Sequence, residues 1–105
     1  MSKIANTPVP PYYAVIFTSL RREGDQGYGE AADRMVELAS TQPGFLGIEA
    51  VRETLGVTVS YWKDLDSIKQ WKANAEHVEA QSRGHEIWYS SFRVRIAKVE
   101  RDYGI

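Results

Sequence analysis

The chain contains no cysteine. That excludes a disulfide framework, a thiolate metal centre and a cysteine nucleophile, and it fits a reducing compartment, with the cytoplasm as the default location. An excess of either charge is also missing, since 13 Lys and Arg stand against 14 Asp and Glu for a net charge of -1. Without a broad positive field, neither nucleic acid nor an anionic membrane is an expected partner. No apolar run approaches the ~20 residues of a spanning helix, and Met1 to Pro11 holds no signal-peptide core. Histidine is scarce, with 2 in the chain, His77 and His85. No nucleophile elbow accompanies them, so no Ser-His-Asp triad can be drawn.

What remains is ordinary globular composition: 105 residues, 43% hydrophobic and 26% charged. That length fits one core and leaves no room for two. The expected organisation is an extended arm over 1–11, where Pro8, Pro10 and Pro11 disfavour helix, and a single domain over 12–105.

Tyr12 to Leu20 is β-branched and aromatic and stops at the polar, glycine-bearing stretch Arg21 to Gly29, which predicts a strand. From Glu30 to Gln42, Ala31, Met35, Leu38 and Ala39 recur on one helical face until Pro43-Gly44 ends the run. Phe45 to Arg52 and Val57 to Trp62 read as an antiparallel hairpin joined by Glu53 to Gly56, with Gly56 expected to supply a positive φ. Asp64 is placed to cap a second helix carrying Leu65, Ile68, Trp71, Ala75 and Val78 at spacings of three and four. Trp88 to Val99 alternates Phe92, Val94 and Ile96 against Arg93, Arg95 and Ala97, a final strand.

The order β-α-β-β-α-β predicts an α+β domain of ferredoxin-like topology, a four-stranded antiparallel sheet with both helices on one face. The first strand carries Tyr13, Val15 and Phe17 on one side and Ala14 and Ile16 on the other. Two helices cover only one face, so the other is expected to meet a second copy of the chain, as a homodimer.

Gln42-Pro43-Gly44-Phe45-Leu46-Gly47-Ile48-Glu49, then Val59-Ser60-Tyr61-Trp62, Trp71, His77 and Trp88-Tyr89, resembles the antibiotic biosynthesis monooxygenase family. The resemblance implies a dimeric α+β barrel with a pocket between helices and sheet, in which some members oxidise polyketide- or quinol-like phenols with molecular oxygen and without metal or flavin. Other relatives degrade haem with an asparagine on the first strand, a tryptophan on the second helix and a histidine ten residues later. The corresponding places here hold Phe17 or Thr18, Trp71 and Gln81, and glutamine is a poor substitute for an axial imidazole.

The chemistry so implied is a cofactor-independent monooxygenase acting on a small aromatic compound. Trp62, Trp71 and Trp88 are the expected substrate-stacking residues, His77 the general base and Gln81 a hydrogen-bonding partner of substrate or oxygen. The plainer reading of each tryptophan is core packing, and of His77 a solvated helix histidine. The alternative function is a non-catalytic dimer that binds a small ligand or serves as an accessory protein, with haem degradation behind both. A metal is not expected, because His77 and Glu79 point about 200° apart on a helix and His85-Glu86 lacks the second histidine of HExxH. Gly27-Tyr28-Gly29-Glu30-Ala31-Ala32 fits a nucleotide fingerprint on paper, but the preceding loop is too long for the tight turn the fingerprint needs. Arg21-Arg22 and the basic residues of 93–101 are interleaved with Glu23, Asp25, Glu100 and Asp102 and read as a solvated surface.

Overall fold

The computed structural model describes residues 3–82 and 87–105, and the side chains of 77–82 lie outside the description. The elements are β1 (Tyr12–Arg21), α1 (Tyr28–Ser40), β2 (Phe45–Arg52), β3 (Gly56–Trp62), α2 (Leu65–Ser82) and β4 (Tyr89–Val99). The four strands form one sheet in the order β2-β3-β1-β4, and every neighbouring pair is antiparallel. This is the ferredoxin-like arrangement that the element order predicts.

The register sorts the side chains between the two faces, since residues opposite one another share a face and neighbours along a strand alternate. Tyr13 pairs with Trp62, Val15 with Ser60 and Ile96, and Phe17 with Thr58 and Val94. These residues face the helices, because Tyr13 and Val15 pack against the buried cluster of Ala39 from α1, Trp62 from β3 and Ile68 from α2. Tyr12, Ala14, Ile16, Thr18 and Leu20 face the other way.

Local chemistry sets the boundaries. α1 begins two residues before the expected Glu30, because the Asp25 carboxylate accepts hydrogen bonds from the N–H groups of Gly27 and Gly29 at 3.1 Å each. A carboxylate therefore fills the helix end where the nucleotide fingerprint would need a phosphate. Asp64 caps α2 as expected, accepting from the Ser67 N–H at 2.8 Å and from its hydroxyl at 2.7 Å.

Gly44 has φ of +83°, and a Cβ there would sit 2.1 Å from Ser67 Oγ. The glycine thus permits both the left-handed turn into β2 and the close approach of the α2 N-terminus. Gly56 works differently from the expectation. It is not among the positive-φ glycines Gly24, Gly27 and Gly44; its missing side chain instead leaves room for the Arg52 guanidinium, which would lie 2.0 Å from a Cβ there.

Candidate functional site

α1 packs on β2 and α2 on β3, so the helices lean over one half of the sheet. On the helix side of β4, Phe92, Val94 and Ile96 are 40%, 48% and 52% exposed although their alternation turns them toward the helix layer. An apolar strip of this kind, partly open to solvent beside the helix layer, can serve as the floor of a small-molecule site.

Aromatic residues flank it at two places. In the first group, Trp62 and Trp71 stack with centroids 5.8 Å apart and planes at 21°, and Phe45 meets Trp62 edge-on at 5.5 Å. Trp62 is fully buried and donates its indole N–H to Ser60 Oγ at 2.9 Å, whereas Trp71 is only half-buried. Trp71 therefore has one ring face on Trp62 and part of its surface open to solvent. In the second group, Phe17 stacks on Phe92 at 5.5 Å and meets Tyr89 edge-on at 5.4 Å, and Tyr28 contacts Trp88 and Tyr89 at 5.9 and 5.8 Å. Trp88 is buried here, its indole N–H donated to the Gln26 carbonyl at 3.0 Å.

Of the residues expected from sequence, Trp62 and Trp71 are thus brought together, while Trp88 walls the other aromatic group. His77 and Gln81 fall within α2, but their side chains lie outside the described residues, and His85 lies outside them altogether. Phe17, not Thr18, is the first-strand residue on the helix side. Tyr89 stands beside Trp88 in the motif that carries the family resemblance and falls in this group, whereas Tyr28 and Phe92 were not expected at a site. Their only signal in sequence was aromatic character at a helix start and along an alternating strand.

The opposite face has its own polar network. Tyr61 donates to Glu49 Oε1 at 2.6 Å, and Glu49 Oε2 accepts from the Ala5 N–H at 2.9 Å, which ties the N-terminal arm across β2 and β3. Burial, reinforced by the Glu49 carboxylate, pushes the Tyr61 phenol up to about 12. Tyr12 donates to Asp102 and accepts from Thr7 at 3.0 Å, joining the arm to the tail, and the bond to Asp102 raises its phenol above the ordinary value. Neither phenol is suited to act as a base near neutrality.

Against known proteins, residues 11–83 match the family model described as antibiotic biosynthesis monooxygenase. The chain belongs to that family. Uncharacterized protein YqjZ of Bacillus subtilis (strain 168) is 54% identical over 103 residues, covering 96% of this chain and 90% of the relative. Among solved structures, SnoaB, a cofactor-independent oxygenase from Streptomyces nogalater, superposes with a TM-score of 0.71 at 14% identity, covering 89% of this chain and 97% of that one. Rv0793 from Mycobacterium tuberculosis gives 0.70 at 12% identity, with 89% and 99% covered. At such identities the likeness to solved structures is one of fold. No helix among the described residues is long and apolar enough to cross a membrane.

Proposed function

We propose that this family member is a cofactor-independent monooxygenase that oxidises a small, flat, phenolic compound in the cleft between the helices and β4. The observation that carries the reading is the partly exposed apolar strip Phe92, Val94 and Ile96 on the helix side of the sheet, with two aromatic groups on the same face. Trp71 would stack on the substrate, Trp62 would hold Trp71 from behind, and Trp88 would wall the other end. His77 would take the phenolic proton and Gln81 would hydrogen-bond to substrate or oxygen.

The chemistry balances without a further reductant. Loss of the proton leaves an anion that gives an electron to O2; a carbon–oxygen bond forms, and elimination of water leaves one oxygen atom on the ring. A methylene and O2 thereby become a carbonyl and water. The fold shared with SnoaB, which is described as a cofactor-independent oxygenase, supports the reading.

The functional unit in this proposal is a homodimer formed through the sheet face opposite the helices. On that face Val51 is 67% exposed, and Ile4, Val51, Val57 and Val59 line an open groove of about 420 Å³.

The test is oxygen uptake by purified protein with a panel of anthrones and hydroxylated quinols, alongside quenching of tryptophan fluorescence by the same compounds. Uptake above the protein-free rate together with quenching is expected. Quenching without uptake would make the protein a binding module. Neither response would remove the cleft as a ligand site.

A further inference from the structure

Two arginines converge on the second aromatic group, and the residues near them in sequence do not neutralise them. Arg52 lies on the helix-facing side at the end of β2. Its side chain runs back over β3 through the space left by Gly56 and reaches Ser19 on β1, where it donates to the hydroxyl and, at 3.5 Å, to the carbonyl. Arg21, two positions further along the same face of β1, lies over the Tyr28 ring at 3.5 Å, and the Arg52 guanidinium lies 5.9 Å from the same ring.

Arg21 is held by carbonyls, with Nε donating to Trp88 at 2.9 Å and Nη2 to Gly24 at 3.0 Å. Both side chains are half-buried, and among the described residues both are paired only with neutral groups.

Among the described residues, no acid near them in sequence forms an ion pair with either arginine. Asp25 accepts from the α1 backbone, Asp102 accepts from Tyr12, and Glu23 is exposed. Two guanidinium groups drawn toward one ring, half-buried and with no ion-pair partner among the described residues, repel each other, and an anion within reach of both would relieve that cost. The spot adjoins the apolar floor, because Ser19 pairs directly with Phe92 across the strands, and Phe92 stacks on Phe17.

We propose that Arg21 and Arg52, which both lie over the Tyr28 ring, form an anion subsite for a carboxylate carried by an aromatic ligand whose ring lies on Phe92. This deepens the monooxygenase reading and rests on it for the identity of the cleft: the substrate class becomes an aromatic acid. The planar fork of Arg52 suits a carboxylate, and its remaining N–H donors are available for one.

The test compares 2-naphthoate with its uncharged counterpart 2-naphthamide by titration calorimetry on the full chain. The naphthoate should bind at least about tenfold more tightly than the amide, and the preference should shrink as salt is raised. In Arg52→Gln the naphthoate should fall to the level of the amide, while amide binding stays as in the parent protein, showing that cleft and fold are intact. If Arg52→Gln does not fold, Arg52→Lys serves instead: it keeps the charge, loses the fork, and should lose most but not all of the preference. Equal binding of both probes to the parent protein would overturn the anion subsite and leave the aromatic cleft standing. A preference that survives Arg52→Gln unchanged would overturn the role of Arg52. If neither probe binds, the cleft reading itself fails.

Discussion

Single residues carry more of this fold than their size suggests. Gly44 is held at φ +83° with α2 pressed against its α-carbon, so Gly44→Ala meets both backbone strain and a clash with Ser67. The expected cost is about 2–4 kcal/mol, read as a lower urea midpoint, and Ser67→Gly in the same chain should recover the part due to the clash. Tyr61 gives a residue-scale pH dependence. Its phenol is raised from 10.0 to about 12, so the native state holds the proton more tightly than the unfolded chain. The contribution is complete below the ordinary value and disappears as pH rises toward the native one. Melting temperature should therefore fall between about pH 10 and 12, and Tyr61→Phe should flatten part of that fall while leaving the slope due to Tyr12. An unchanged slope in the variant would show that the Tyr61 phenol is not held above its ordinary value.

At the scale of elements, α2 is the piece whose start is best defined, since the Asp64 carboxylate takes both the N–H and the hydroxyl of Ser67. Those bonds, the hydroxyl first, hold its pKa below the ordinary carboxylate value. The stabilisation is present above the unfolded value and is lost as pH falls through the native one. Asp64→Ala should lower the melting temperature at neutral pH by a few degrees. Asp64→Asn, an equally good cap, should keep most of that stability and remove this residue's share of the acid-side loss. β4 is the opposite case. It is paired on one edge only, its helix side is partly exposed, and its other side carries Arg93 and Arg95, so its position depends chiefly on β1.

For the whole molecule, the two sheet faces are covered by different means. Helices roof one face over β2 and β3, while on the other the arm lies against Gly47 and Glu49 and the tail reaches Tyr12. The remaining apolar surface there, including Val51, is where a second copy would sit. Val51→Asp discriminates directly: on a free monomer an exposed valine tolerates the change within about 0.5 kcal/mol, whereas in an interface it buries an unpaired charge. Sedimentation at micromolar concentration should give a dimer for the parent chain and a monomer for Val51→Asp. A parent chain that sediments as a monomer would end the dimer proposal.

The sequence by itself determined the order of elements, the sheet topology and the faces of the strands. Alternation at Tyr13, Val15 and Phe17, one-face spacing in α1, the Asp64 cap and the Pro43-Gly44 break are all local signals set by backbone sterics and the period of the side chains. It also marked Trp62, Trp71 and Trp88 as candidate stacking residues, while the pairing of Trp62 with Trp71 came from the tertiary structure. Only the tertiary structure decided where the helices lean, and with that which apolar residues of β4 stay uncovered. Only it showed that Asp25 is spent on the α1 backbone, that Gly56 makes a lane for Arg52, and that Arg21 and Arg52 meet at Tyr28. They follow from how side chains reach one another once the strands and α1 are in place, as where Arg52 meets Ser19 thirty-three positions away, and charge balance along a chain does not disclose which charges end up facing one another.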